Sequence, residues 1–180
     1  MRLFVGFLAP DELKDRLAAE LHRVPHAPQG VREIARDLWH LTVTFLGEVE
    51  EGHVPEISAH IKQWTEKTTK ITPVLTRFET FPQKKPRYLS GHFEITEIET
   101  FRARVDRLRD VLSIYAPEID RKPWKGHMSL AKVLQRARLQ RWEYELEPVE
   151  WRPHVLSLVV SRPGQNGSIY TPLETFPWIS

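Results

Sequence analysis

Two related tetrads decide the fold of this chain: HLTV at residues 40–43 and HMSL at residues 127–130. Each tetrad places an imidazole and a hydroxyl two residues apart, and residues i and i+2 of a β-strand project from the same face of a sheet. The apolar residues of each tetrad then project from the opposite face. Because the pattern occurs in both halves of the chain, we interpret it as one composed site, with two imidazoles and two hydroxyls around a small anionic group.

The same order of elements surrounds both tetrads: a strand, an amphipathic helix, and then the strand that carries the histidine. Phe4 in the first of these strands precedes His40 by 36 residues, and Leu89 in the corresponding later strand precedes His127 by 38 residues. The near-equal spacing predicts two related, βαβ-like lobes with added strands. If the lobes face one another, the polar faces of the two histidine strands meet in a central cleft.

Apolar periodicity and turn residues predict the individual elements. Strands are predicted at about residues 3–8, 38–46, 71–80, 87–94, 127–134, 155–160 and 168–176, with a turn at residues 163–167. Helices are predicted after Pro10, around the apolar stripe of residues 54–64, and behind the TEIE sequence at 96–99, which resembles a capping box. In the first tetrad strand Leu41, Val43 and Phe45 are expected to face inward, and Phe45 and Leu130 are assigned to packing.

Composition limits the class of protein. The 180 residues, of which 41% are hydrophobic, suit a single two-lobed domain over residues 1–180, and no apolar run approaches the roughly 20 residues that span a bilayer. The absence of cysteine excludes disulfides and thiolate metal sites and fits a cytoplasmic protein. A formal net charge of +2 excludes strong bulk attraction to nucleic acid but leaves room for a local anion site.

Two imidazoles around one phosphorus can divide acid and base chemistry. A neutral ring takes a proton from attacking water, while a protonated ring gives one to the leaving oxygen. The hydroxyls of Thr42 and Ser129 would donate hydrogen bonds to the non-bridging phosphate oxygens, where charge accumulates in the transition state. No metal is required, and a metal between His40 and His127 is the weaker alternative because no HExxH motif accompanies them.

The six remaining histidines are weaker candidates for catalysis. They lie in predicted helices or loops, or lack a hydroxyl on the same face in a repeated setting: His22, His26, His53, His60, His92 and His154.

Longer stretches around the tetrads carry a family resemblance. HLTVTFLGEV at residues 40–49 and PWKGHMSLAK at residues 123–132 resemble the two signatures of the two-histidine (2H) phosphoesterases. The chain is similar within that superfamily to the LigT branch, the RNA 2′,3′-cyclic phosphodiesterases, in its opening RLFVGF and closing SIYTPL as well. It departs from the branch at Gly126, where proline is usual, at Lys132, where arginine is usual, and at Ser129, which replaces threonine but keeps the hydroxyl.

The resemblance implies an α+β, two-lobed, duplicated fold, with antiparallel sheets facing a central cleft and helices outside. It implies opening of an RNA-terminal 2′,3′-cyclic phosphate to leave a 2′-phosphate, without cofactor or metal. The histidine of the first motif, His40, would protonate the departing 3′-oxygen. The histidine of the second, His127, would activate water, and Thr42 and Ser129 would hold the phosphate.

Further substrate contacts are expected near the motifs. Trp124, and Trp39 less so, would stack on the terminal base. A basic and polar rim would come from the residues Arg121, Lys122, Lys125, Lys132 and Tyr170. The expected partner is an RNA with a cyclic phosphate end or a small cyclic nucleotide, bound by a monomer without a membrane. A non-catalytic nucleotide- or RNA-binding module and a 2′,5′ RNA ligase remain the alternatives.

Overall fold

The computed structural model describes residues 1–165 and 167–178. Within them the chain forms nine strands: β1 Arg2–Leu8, β2 Val31–Glu33, β3 His40–Glu48, β4 Val74–Phe81, β5 Tyr88–Glu94, β6 His127–Val133, β7 Glu143–Glu150, β8 Val155–Gly164 and β9 Gly167–Pro177. The helices are α1 Asp11–Arg23, α2 Val54–Lys67 and α3 Ile98–Leu112, with short 3₁₀ turns at Arg36–Leu38 and Glu51–His53. The part of the chain described here has no helix long and apolar enough to cross a membrane.

The strands form two sheets in which every neighbouring pair is antiparallel. One sheet has the order β3-β1-β8-β9 and the other the order β2-β6-β5-β4-β7. The predicted α+β class, with two antiparallel sheets facing a cleft, is confirmed. In each half the strand before the helix pairs with the histidine strand, β1 with β3 and β5 with β6, so these strand–helix–strand units are antiparallel rather than parallel as in a true βαβ unit.

The helices pack one apolar face onto the sheets. The stripe predicted for α3 is buried at Phe101, Val105, Leu108 and Leu112, and α2 buries Ile57. These residues join the inward-facing side chains of both sheets in one hydrophobic cluster. Burial of one face per element is the main favourable contribution to folding and leaves the other sheet faces free for polar groups.

The capping box expected before α3 is absent. The helix begins at Ile98 with Glu97 as its N-cap, and no side chain caps it. Glu99 instead forms an ion pair with Arg102 one turn later, which removes the carboxylate that the box requires.

The alternation expected along β3 fails after Val43. The pairing of β3 with β1 shifts register beside this residue, so that Thr44 is buried and Phe45 is 39% exposed. A β-bulge reverses which side chains face inward, and the assignment of Phe45 to the core is therefore wrong. Leu130, assigned in the same way, is fully buried as expected.

Two strands escaped prediction. β2 has only three residues, and β7 carries four glutamates in eight residues. Both lie at the edges of the second sheet. The glutamates of β7 nevertheless alternate with Tyr144 and Leu146, which pack against the core, and this strand signal was present in the sequence. The β8–β9 turn lies where it was predicted as far as it is described; Asn166 within it is outside the described residues.

Candidate functional site

The first motif is held at the start of β3. His40 and Thr42 are partly exposed, while Leu41 and Val43 on the opposite face are buried. The His40 Nδ1–H donates to the carbonyl of Leu38 at 2.7 Å, at the end of the 3₁₀ turn that leads into the strand. Because a carbonyl oxygen only accepts, the proton of the neutral ring lies on Nδ1 and Nε2 is left as a free base.

Two aromatic rings fix the plane of the His40 imidazole. The centroid of Phe4 on β1 lies 4.6 Å away, and Tyr170 on β9 meets the imidazole edge-on at 5.2 Å. Phe4 and Tyr170 also contact each other at 4.9 Å. Tyr170, expected at the rim, is thus packed against the histidine itself.

The second motif repeats this arrangement on β6. The His127 Nδ1–H donates to the carbonyl of Lys125 at 3.0 Å, again two residues earlier in the chain. Phe81, at the end of β4, stacks on the imidazole with a centroid distance of 4.0 Å and an interplanar angle of 21°. Both motif histidines therefore have the same tautomer, a free Nε2 and an aromatic neighbour.

The two motifs are tied together across the sheets. The Trp124 Nε1–H, three residues before His127, donates to the backbone carbonyl of Thr42 at 2.8 Å. Arg109 on α3 donates to the Thr44 hydroxyl at 3.0 Å and to the carbonyl of Lys122 at 2.8 Å. The segment that leads into β6 is thus anchored directly on β3.

Burial shifts both imidazoles toward the neutral form. Burial, with a smaller contribution from the charge of His127, lowers the pKa of His40 to about 4 against the opposing effect of the Leu38 carbonyl. Burial also lowers the pKa of His127, partly offset by the Lys125 carbonyl and by Glu79, while His92 and Lys125 add to the lowering. A positive charge on either ring disfavours protonation of the other. A bound anion between the rings would therefore favour the state in which one imidazole is protonated and the other is neutral.

The expected base-stacking tryptophans lie in the core. Trp124 is 3% exposed and packs edge-on against Phe101, and Trp39 is fully buried with its Nε1–H donated to the carbonyl of Ile34. Neither indole face is open to a base, which corrects that expectation. Aromatic residues beside strands usually belong to the core, and here each indole holds a motif strand in place.

The other expected contacts divide into two groups. Lys125 and Lys132 are exposed beside the second motif, with Lys125 Nζ 5.9 Å from the ring centroid of Phe81. Arg121 forms an ion pair with Asp110 of α3, so its guanidinium is engaged with the helix layer. Ser129 is partly exposed on the same face of β6 as His127.

A polar layer behind the second motif escaped prediction from the sequence. His92 on β5 is the cross-strand partner of His127, and Ser90 is the partner of Ser129. The buried carboxylate of Glu79 lies 3.2 Å from His92. A signal was present: Ser90 and His92 are also a hydroxyl and an imidazole two residues apart on a predicted strand, in the reverse order.

No group of three or more His, Asp or Glu side chains among residues 1–165 and 167–178 is arranged to hold a metal ion.

The fold is α+β with two antiparallel sheets, and each sheet carries one of the two His-x-Thr/Ser motifs. This combination defines the class of protein as one with a composite two-histidine site. The family model of the 2′-5′ RNA ligase superfamily matches residues 9–165. The chain belongs to this superfamily, and the recognition of the 2H phosphoesterase signatures is confirmed.

Individual relatives agree with the family. The chain is 24% identical over 154 residues to an RNA 2′,3′-cyclic phosphodiesterase of Thermotoga maritima, covering 85% of this chain and 80% of the relative. A crystal structure of a Thermus thermophilus protein superposes with a TM-score of 0.78 at 27% identity over 99% of this chain and 98% of that one. E. coli LigT complexed with phosphate gives a TM-score of 0.69 at 19% identity, covering 99% and 98% of the two chains, and shares the fold.

Proposed function

We propose that this protein hydrolyses 2′,3′-cyclic phosphates at RNA ends or in small cyclic nucleotides, opening the bond to the 3′-oxygen and leaving a 2′-phosphate. The observation that carries the proposal is the matched pair of imidazoles, each with Nδ1–H bound to a carbonyl and Nε2 free. Membership of the superfamily and the name of the Thermotoga relative support a phosphodiesterase acting on RNA.

In the proposed reaction the two imidazoles act on opposite sides of the phosphorus, one on the attacking water and the other on the departing 3′-oxygen. His127 Nε2 takes a proton from water, the water oxygen forms a bond to phosphorus, and the bond to the 3′-oxygen breaks as His40 gives that oxygen a proton. Thr42 and Ser129 donate hydrogen bonds to the non-bridging oxygens. The phosphate anion favours the protonated form of His40, which burial disfavours in the free protein.

The direct test is phosphorus NMR of an oligoribonucleotide with a 2′,3′-cyclic phosphate end, incubated with the protein and EDTA. A 2′-phosphate product is expected. A 3′-phosphate would keep the enzyme class and reverse the proposed bond cleavage. A bound but unconverted oligonucleotide would favour the binding module, and joining of RNA ends through a 2′,5′ linkage would favour the ligase.

Single histidine variants test the acid and base roles proposed for His40 and His127. His40→Ala and His127→Ala are each expected to lower kcat by at least about 100-fold, the usual contribution of a positioned acid or base. His154→Ala is the matched control, since His154 is exposed beside β8 and its backbone bond to Trp178 uses only the carbonyl. Activity of either motif variant close to that of the control would refute the proposed roles.

A further inference from the structure

Behind the second motif lies a carboxylate that the proposed reaction does not use. Glu79 on β4 is 3% exposed; its Oε1 lies 3.2 Å from Nδ1 of His92, and its Oε2 accepts hydrogen bonds from Arg77 and Gln83 at 3.3 Å each. Burial by itself would raise the pKa of Glu79. The hydrogen bond and charge of His92, with the charge of Arg77, outweigh burial and lower that pKa to about 2. Glu79 is therefore an ionised group at neutral pH.

Strand register places this carboxylate in line with the motif. Across β4, β5 and β6, Glu79 pairs with Ser90 and Ser90 with Ser129. In the next row Arg77 pairs with His92 and His92 with His127. Directly paired residues project from the same face of a sheet, so each row ends at one of the two polar residues of the second motif.

We propose that Glu79 is a positioning residue for His127: its ionised carboxylate, held in place by the His92 ring, stabilises the imidazolium that forms when His127 takes a proton. This role rests on the proposed function, because it concerns the step in which His127 acts as base. A buried fixed charge is effective here because the surrounding dielectric is low and the charge does not reorganise.

The electrostatics of His127 agree with this geometry. Burial lowers the pKa of His127, and Glu79 acts in the opposite direction, together with the Lys125 carbonyl. The charge of His92 lowers the pKa of His127. Glu79 therefore favours the imidazolium of His127, and the charge of His92, which holds the Glu79 carboxylate, partly opposes that effect.

Other charged groups lie near the pair or act on the two motif histidines: Arg77 on β4, Glu94 on β5, Lys125 just before β6, His127 at the start of β6, Glu143 on β7 and His40 on β3. Glu143 is the cross-strand partner of Glu79 on the side away from β5, is exposed, and pairs with Arg141. It carries the same charge one strand further from His127 and so provides a matched control.

The test is an NMR titration of the histidine ring signals in the substrate-free protein. Glu79→Gln keeps the shape and an acceptor for His92, and it is expected to lower the pKa of His127. His92→Gln is expected to raise it, and Glu143→Gln to leave it nearly unchanged. If the pKa of His127 is unchanged in folded Glu79→Gln, the proposal is overturned. It is also overturned if Glu79→Gln and His92→Gln shift the pKa of His127 in the same direction. If Glu79→Gln does not fold, the sign of the His92→Gln shift decides.

Kinetics separate this proposal from the function on which it rests. Glu79→Gln is expected to lower kcat about tenfold, a part of the usual general-base contribution, with little change in KM, because Glu79 acts on the imidazolium and not on the substrate. A wild-type protein without cyclic phosphodiesterase activity, but with the expected titration shifts, would refute the proposed function alone. An active wild type whose kcat is the same in Glu79→Gln would refute the positioning role alone.

Discussion

At the scale of single residues, the two motif histidines share one local arrangement. Each donates Nδ1–H to the carbonyl two residues before it, at the point where the chain enters its strand. Each also has an aromatic ring against it, Phe4 for His40 and Phe81 for His127. The backbone thus selects the tautomer, and the aromatic contacts restrict the ring plane.

The pH dependence follows from the lowered pKa values of both rings. We expect a bell-shaped profile of kcat/KM with both limbs below pH 6.5, since this ratio reports the free enzyme, where the pKa of His40 is about 4 and that of His127 is also lowered. Measurement of initial rates over about pH 3.5–8 checks this. A rate that keeps rising above pH 6.5 would contradict it.

The same shifts affect stability with a definite sign. The pKa of His40 is about 6.5 in the unfolded chain and about 4 in the folded one, so the unfolded chain binds more protons between these values. The free energy of unfolding is therefore expected to fall as the pH drops from 6.5 toward 4. His40→Gln should reduce this slope in urea titrations at several pH values, and an unaltered slope would show that His40 does not cause it.

Phe81 provides a second prediction at this scale. Phe81→Leu removes the stacked ring, and we expect kcat to fall several-fold because the π-face no longer stabilises the protonated His127 or restricts its rotation. Phe45→Leu is the control, since Phe45 is 39% exposed on the other sheet and its aromatic neighbour is Phe4 rather than a motif histidine. Equal effects of the two substitutions on kcat would argue against the stacking role.

At the scale of the elements, the entry to β6 depends on a glycine. The backbone N–H of Phe93 on β5 donates to the Gly126 carbonyl at 2.6 Å, and a Cβ on Gly126 would lie far too close to the Phe93 carbonyl oxygen. This close approach explains why a residue without a side chain precedes His127. Glycine is used here for space, since its φ is not among the positive values.

Gly126→Ala is therefore expected to destabilise the fold by about 2 kcal/mol or more, because backbone atoms must move to admit the methyl group. Gly52→Ala is the matched control, since nothing lies within 4 Å of a Cβ there. Its effect should stay within about 0.5 kcal/mol. Urea denaturation gives both values, and a Gly126→Ala variant as stable as the control would refute the close approach.

At the scale of the whole molecule, Arg109 links the two halves. It is 3% exposed on α3, which connects β5 and β6 of the second sheet. Its side chain nevertheless donates to the Thr44 hydroxyl of the first sheet and to the carbonyl of Lys122 before β6. Its remaining charge partner is Asp106, one turn earlier. A buried guanidinium with these partners fixes α3, β3 and the segment before β6 relative to one another.

Arg109→Met keeps much of the apolar stem but leaves the Thr44 hydroxyl and the Lys122 carbonyl without this donor. We expect a loss of about 2–3 kcal/mol in the free energy of unfolding, together with a lower kcat. Arg107→Met on the exposed side of the same helix should change neither by much. Retained stability in Arg109→Met, measured by urea denaturation, would show that the halves are aligned by other contacts.

The prediction from sequence was accurate where one face of an element is buried. The α3 stripe followed the 3.6-residue period closely. The strand at residues 127–134 followed the two-residue period as far as Leu130, where a register shift leaves Leu130 and Ala131 both buried. The alternation of glutamates with Tyr144 and Leu146 along β7 was present in the sequence but was not used. Prediction failed at Thr44 and Phe45, where a bulge reversed the faces, and at β2, an edge strand of three residues. Bulges and edges are set by backbone pairing with distant strands, which side-chain periodicity does not record.

The sequence by itself determined the two imidazole–hydroxyl pairs, the class of fold and the family, because alternation in a strand and the extended motifs are local properties of the chain. Only the tertiary structure decided that Trp124 packs in the core instead of stacking on a nucleotide base, and that Tyr170 packs on His40. Only the tertiary structure, likewise, paired His92 with His127 and set the Glu79 carboxylate against His92. Cross-strand register joins residues tens of positions apart, and local spacing carries no information about it.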